Sequence, residues 1–272
     1  MEYSDNAIRL PENASKLRRM KEALRSVIAL AGICVAWAIA AYFINQQTVL
    51  PSFASTMREF FAAWVNARVI SNLLLTLQRV LLGCFYAVIL GTVIGLIMGY
   101  SEKCMTVLSP IVNSVRQVPI MAWVPLSIVW FGLGEGPTVF LIFMSALFPL
   151  ILNIIAGVSG IDKNYINAAR SMGANTPAIF RDVIIPGTLP SFLTGLRLAV
   201  GAGWMSVICA EFIATSSGFG FLMIEAQERI QTPKLYALMI ISAIVGFLMD
   251  QVIRFAERKL TGWRYKNAAA KN

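Results

Sequence analysis

The stretch TVFLIFMSALFPLILNIIAGV, residues 138–158, runs for 21 residues without a charged side chain. A hydrocarbon core about 30 Å thick is crossed by about 20 apolar residues in a helix. Backbone polar groups in lipid must be satisfied within their own segment, so this run reads as a spanning helix. Working outward, five further runs read alike: 26–43, about 73–100, roughly 107–133, about 188–214 and 235–255. The third in chain order, 107–133, is interrupted by Pro110, Pro119 and Pro125. With 57% hydrophobic and 14% charged residues and a mean hydropathy of +0.69, the whole chain belongs in a bilayer. The expected fold class is an all-α integral membrane protein of about six transmembrane helices.

Charge orients the bundle. Arg9, Lys16, Arg18, Arg19, Lys21 and Arg25 precede the first span, and Arg254, Arg258, Lys259, Arg264, Lys266 and Lys271 mark the end of the last. An even number of spans puts both termini on one side, and by the positive-inside rule that side is expected to be the cytoplasm. The loops carrying Lys103, Lys163, Arg170 and Arg181 then also fall inside. The chain divides into a basic cytoplasmic tail (1–25), a transmembrane domain (26–260) and a second cytoplasmic tail (261–272). The net charge of +9 clusters beside spans, as anionic membrane lipid requires, so no nucleic acid is implied. Ala36, Ala38 and Ala40 lie inside the first apolar run rather than after it, so that run reads as a retained anchor and not a cleaved signal peptide.

Several chemistries are excluded. The chain has no histidine, which removes His-based hydrolytic triads and most zinc or haem sites. Cys34, Cys84, Cys104 and Cys209 are widely spaced, with no C-x-x-C, so no metal or redox role follows. Gly-Lys never occurs, so there is no Walker A loop, and any ATP would be hydrolysed by a partner. GLGEGP, residues 132–137, joins two spans and reads as a turn; Gly91, Gly95 and Gly99 read as a smooth stripe for close packing within the subunit.

One loop breaks the pattern. Residues 161–186 hold two short polar helices, the first punctuated by Asp162 as N-cap and Gly173 as stop. Ile161, Tyr165, Ala168, Ala169 and Met172 recur at helical spacing beside a polar face of Lys163, Asn167 and Arg170. A second helix restarts with Thr176 as cap and Pro177 at its first position, and ends at Pro186. Three uses compete for this elbow: lying on headgroups, packing beneath the bundle, or docking into a soluble partner. Alanines at 168 and 169 suit close approach to protein, because a lipid-facing helix gains more from Leu or Phe.

This loop resembles the cytoplasmic signature of permease subunits of bacterial ABC importers: Glu-Ala-Ala, then Gly after three residues and Ile-x-Leu-Pro after nine more. Here it falls on Asn167, Ala168, Ala169, Gly173, Val183, Ile185 and Pro186. The stretches VPIMAWVPLSIVWFGLGE, LPSFLTGLRLAVGAGW and AEFIATSSGFGFLM are similar to the branch handling nitrate, taurine and aliphatic sulfonates. The resemblance covers about residues 71–260 and implies that 163–172 is a coupling helix between spans four and five, seated in an ATPase cleft. Its coupling residues would be Lys163, Tyr165, Asn167, Ala168, Ala169, Arg170, Met172, Gly173, Val183, Ile185 and Pro186. It further implies two ATP-binding subunits, a second permease copy in a homodimer, and a periplasmic or lipid-anchored solute-binding protein. It implies the bacterial cytoplasmic membrane as the place, no cofactor bound by this chain, and ATP and Mg used by the partner subunits. Asn167 stands where the family has glutamate, and an amide holds no ion pair.

Arg116 and Arg197 fall at membrane depth, where charge costs roughly 2.5–3.5 kcal/mol, and this suggests a small anionic solute. Against that stands Arg197 reaching back to the cytoplasmic surface or bracing backbone carbonyls. Glu211 reads either as part of a gate or as an interfacial carboxylate in water. Met121, Trp123 and Trp204 read either as cavity lining or as packing. STMREFFAAW, residues 55–64, should begin an amphipathic helix on the outer leaflet, capped by Thr56 and Glu59. A secondary carrier or channel is the rival reading, but such carriers show internal repeats and none is visible here. An intramembrane enzyme lacks the residues it would need.

Overall fold

The computed structural model describes residues 12–261, all of it helix and connecting turn. The tails 1–11 and 262–272, with Arg9, Arg264, Lys266 and Lys271, lie outside the described residues, as do the side chains of Lys16, Arg18, Arg19 and Lys21. In chain order the helices are α1 (Glu12–Ile44), α2 (Phe53–Val65), α3 (Ala67–Tyr100), α4 (Glu102–Arg116) and α5 (Trp123–Phe131). They continue as α6 (Glu135–Ser159), α7 (Lys163–Ser171), α8 (Thr176–Ile179), α9 (Ile185–Ala214), α10 (Phe219–Glu228) and α11 (Thr232–Leu260). Four are long and apolar enough to cross a membrane: α3, α6, α11, and the rod formed by α8 and α9 from Thr176 to Ala214. The apolar segments Ala31–Ile44 and Ile120–Phe131 are shorter.

The core is a trio, with α6 packed between α3 and α9. Small residues set its spacing. A Cβ built on Gly83 would fall 2.5 Å from Ile142 Cγ2, on Gly95 2.8 Å from Ile154 Cβ, and on Gly99 2.7 Å from Val158 Cβ. Because lipid tails are as apolar as leucine, such helices associate through close packing, which glycine permits. The glycine stripe therefore faces the same subunit. Ile142, Leu150, Ile151 and Ile154 fill the seam and are almost completely buried.

The third apolar run is not one helix. α4 ends at Arg116, a single 3-10 turn follows at Ile120–Ala122, and α5 adds only nine residues. Pro119 donates no N–H and keeps Val118 from the helical region, so the ladder stops there. Two other expectations change. α2 starts earlier, with Ser52 accepting from the Ser55 N–H, so Thr56 lies inside the helix and is buried. The second elbow helix is capped by Asn175, which accepts from the Ala178 N–H, rather than by Thr176. It does not end at Pro186 either. A π-helical turn at Phe180–Ile184 carries it into α9, the wider turn absorbing the disruption ahead of Pro186 and Pro190.

Candidate functional site

Four groups of side chains define what the fold can do. The first is the elbow. Asp162 caps α7 by accepting from the Asn164 N–H at 2.9 Å, and Gly173 ends it with φ at 86°, a left-handed conformation that favours glycine. None of the nine residues of α7 is buried, and Tyr165 and Met172 are 68% and 88% exposed. Lys163, Asn167, Ala168 and Arg170 are exposed as well, while Ala169 turns inward against the core. Phe180 stacks on Tyr100 at 4.7 Å, and Arg170 Nη2 donates to the Tyr100 hydroxyl at 3.3 Å, tying the elbow to the end of α3. Val183 is half-buried, and Ile185 and Pro186 are exposed at the start of α9.

The second group lines a cleft of about 730 Å³ between α9 and α11, with Met223 and Gln227 of α10 at one end. Arg197 and Trp204 line it, with Met239, Phe247 and Asp250 opposite. Arg197 is not a free cation: its Nη1 lies 3.4 Å from Glu257 Oε2 and its Nε 3.8 Å from Asp250 Oδ1. Both carboxylates sit in the last three turns of α11, so the arginine is held toward the same end as the elbow.

The third group lines a pocket of about 360 Å³ where the broken segment passes α6, with Arg116, Gln117, Trp123 and Phe148 in its wall. Arg116 Nε donates to Asn113 Oδ1 at 2.9 Å, and it has no carboxylate partner among the described residues. Met121 sits beside this pocket in the 3-10 turn, 45% exposed. The candidates Arg116, Met121 and Trp123 thus gather in one place, Arg197 and Trp204 in another, and Glu211 in neither.

Glu211 belongs to the fourth group, and it is not an interfacial carboxylate in water: it is 0% exposed. Its partner is Arg79 of α3, 2% exposed, whose Nη1 donates to Glu211 Oε1 at 2.6 Å. Arg79 Nη1 also donates to the Ser217 carbonyl and Nη2 to Ser217 Oγ, both at 2.9 Å. Nε donates to Glu135 Oε2 at 2.7 Å and Nη2 to Glu135 Oε1, so all five guanidinium N–H groups are used. Thr76 Oγ1 donates to Glu211 at 2.7 Å and accepts the Phe219 N–H at 2.7 Å; Glu211 Oε2 accepts the Gly220 N–H at 2.7 Å. Asn72 Oδ1 accepts the Gly218 N–H at 2.6 Å. A buried network pays off only when every member is satisfied, and this one is. Sequence reasoning missed Arg79 and Glu135. The available signal was a lone cation inside the apolar run 73–100, the feature that drew notice to Arg197.

A profile of the family described as "Binding-protein-dependent transport system inner membrane component" matches residues 87–262. An ABC transporter permease protein of Methanocaldococcus jannaschii is 34% identical over 249 residues, covering 90% of this chain and 93% of that one. The taurine transport system permease protein of Escherichia coli is 33% identical, with 85% and 86% covered. An aliphatic sulfonates transport permease protein of Bacillus subtilis is 33% identical, with 89% and 88% covered. Among solved structures, an inward-facing methionine ABC transporter superposes with a TM-score of 0.64 at 18% identity, over 71% of this chain and 96% of that chain. A bacterial ABC transporter involved in import of the acidic polysaccharide alginate gives 0.59 at 15% identity, over 92% and 100%. At these identities the superpositions speak for the fold alone.

Proposed function

The chain belongs to the binding-protein-dependent transport system inner membrane components, and from that premise we propose that it passes a small anion of sulfonate, taurine or nitrate type through the bilayer as one of two identical subunits. It is a permease subunit of an ABC importer and not an enzyme, a multi-pass membrane protein that works with ATPase and solute-binding partners. ATP and Mg are used by those partners, and both termini face the cytoplasm.

The observation that carries the coupling half of this reading is α7, a capped helix with no buried residue and with exposed Tyr165 and Met172 at its surface. A short amphipathic helix that turns only Ile166 and Ala169 toward its own core and leaves Tyr165, Asn167 and Ala168 exposed is built to be covered by a partner. Closure of an ATPase dimer around ATP would displace it, and the unbroken rod from Thr176 to Ala214 would carry the displacement across the membrane. Lys163, Asn167, Ala168 and Arg170 are the docking face, while Gly173, Val183, Ile185 and Pro186 shape the elbow behind it. With Asn167 in the glutamate position, docking rests on shape rather than an ion pair.

The anion reading is supported by the names of the relatives and by Arg116, a cation at the broken segment without a carboxylate partner among the described residues. Discontinuous helices in transporters characteristically line substrate paths, where irregular backbone is tolerated. The test is uptake into proteoliposomes holding the permease, its ATPase and its binding protein. Taurine, ethanesulfonate and nitrate should each be offered against a neutral and a cationic solute. Uptake of a sulfonate or nitrate, reduced by Arg116→Gln, is the expected result; exclusive uptake of the neutral or cationic solute refutes it. Cysteine at position 168, on the exposed face of α7, should crosslink to the ATPase, and failure to do so in the intact complex refutes the docking.

A further inference from the structure

We propose that Arg79 is a positioning residue for the outer gate: it fastens α10 and the turn before it to α3 and α6, and its pair with Glu135 is the half that breaks when the gate opens. Five elements meet in the network centred on this guanidinium, three of them bonded to it and α10 joined through Thr76 and Glu211. α3 supplies Asn72, Thr76 and Arg79; α6 supplies Glu135 at its first residue; α9 supplies Glu211; the turn supplies Ser217; and α10 supplies the Phe219 and Gly220 N–H groups. The loop before α6 joins in, because the Gly134 N–H donates to the Ala214 carbonyl at 3.0 Å. The group lies 21 residues along α3 from Tyr100, the residue that touches the elbow, which is about 31 Å at 1.5 Å per residue. The elbow is at the cytoplasmic end by charge, so this group is at the outer end.

The two carboxylates are not equivalent. Glu211 is 0% exposed and takes hydrogen bonds from three donors on two other elements, Arg79 and Thr76 of α3 and the Gly220 N–H of α10, so releasing it would strand a buried charge. Glu135 is 59% exposed, so its carboxylate can exchange Arg79 for water, while the buried Arg79 keeps Glu211 and Ser217 as partners. Gly132 and Gly134, with φ of 75° and 119° and open space around them, precede Glu135 and give the loop that leads to it a hinge. The buried pair therefore holds Glu211 and α10 on Arg79, while the Glu135 pair decides whether that unit stays closed against α6. Because Glu211 sits near the far end of the rod that begins at the elbow, force applied to α7 arrives at this joint.

The inference rests on the permease assignment and not on the solute; its ATP-hydrolysis arm also needs α7 docked on the ATPase, whereas its labelling arm does not. Its test uses the full chain with its ATPase in proteoliposomes, the four native cysteines replaced by alanine and Ala214→Cys added as reporter. Ala214 is 2% exposed and lies at the joint. Glu135→Gln should raise the rate of labelling by a membrane-impermeant maleimide from outside, without nucleotide. It should also raise basal ATP hydrolysis, each by about fivefold, the lower end of the usual size of coupling between sites. Arg79→Lys has three donors in place of five and no planar fork, so it cannot keep the bidentate pair with Glu135 together with Glu211 and Ser217; it should have the same effect, and combining the two should add nothing. Labelling of Glu135→Gln at the parent rate overturns the proposal, whatever happens to its melting temperature. Should Arg79→Lys not fold, the Glu135→Gln comparison alone decides. The maleimide arm reads the joint without ATP turnover, so its failure leaves the permease assignment standing, whereas a purified complex lacking any ATPase strikes at the assignment.

Discussion

Glycine-to-alanine substitutions along α3 should destabilise the permease in an order set by what each new methyl meets on α6. At Gly83 the Cβ falls 2.5 Å from Ile142 Cγ2 and 2.7 Å from Ile142 Cβ. At Gly95 it falls 2.8 Å from Ile154 Cβ and 3.2 Å from the Ile151 carbonyl oxygen. Carbon atoms prefer about 3.5–4.0 Å, so α3 and α6 must part by roughly 0.7 Å or more at either position. A β-branched neighbour cannot swing its own Cβ aside, because that atom is fixed to the backbone. Overpacking of this kind costs about 1–3 kcal/mol, offset by about 1 kcal/mol of helix propensity gained on replacing glycine. The net is a loss of about 2 kcal/mol for Gly83→Ala and about 1 kcal/mol for Gly95→Ala. At Gly91 the nearest atom is Leu150 Cδ2 at 3.1 Å, the end of a flexible side chain, so Gly91→Ala should be neutral or slightly stabilising. With about 2–4 °C per kcal/mol, thermal unfolding in mild detergent should show melting temperatures about 4–8 °C lower for Gly83→Ala, about half that shift for Gly95→Ala, and none for Gly91→Ala. Equal shifts at the three positions, or the largest at Gly91, would refute the claim that glycine sets the α3–α6 distance.

Three further outcomes are expected. Arg197→Gln leaves Asp250 paired with Arg254 and Glu257 hydrogen-bonded to Thr194, so stability should change by less than about 1 kcal/mol and uptake should persist. A loss of uptake of about tenfold, worth about 1.4 kcal/mol, at unchanged melting temperature would move the anion contact from Arg116 to Arg197. Gly173→Ala places a Cβ in the left-handed region at a cost of about 1–2 kcal/mol, fraying the end of α7; solute moved per ATP should fall while the complex still purifies. Asn167→Glu sits on an exposed face three residues from Arg170 and should shift stability by no more than about 0.5 kcal/mol, with any change in ATPase affinity read by titration of the purified subunits.

The elbow was legible almost residue by residue. Asp162 and Gly173 act on their own turn of helix, so α7 ends within one residue of the expected boundary. Its continuation was not: Pro186 reads locally as a stop, yet the π turn at Phe180–Ile184 lets the rod pass through it, at an energetic cost that packing of Ile179 and Ile184 into the core can meet. The third apolar run shows the converse. Its length and hydropathy suggest a span, whereas Pro119 divides it into α4 and α5. Glu211 was legible as a charge near the end of a span, but its role was not, because Arg79 stands 132 residues earlier. Glu135 looked like part of a glycine turn, and Gly132 and Gly134 do turn the chain there; the use of its carboxylate is invisible without α3 beside it.

From the sequence alone followed the membrane class, the approximate number of apolar rods, the side expected for each loop and the place of the exposed helix. Hydropathy, flanking charge and capping each act within about 20 residues of chain, and a linear reading contains all of that. Only the tertiary structure decided which buried charges meet, which face of the α3 glycine stripe is occupied, and that the proposed anion contacts fall in two separate pockets. Those facts depend on the packing of α3, α6 and α9, and contact between residues more than a hundred positions apart leaves no local trace in either one.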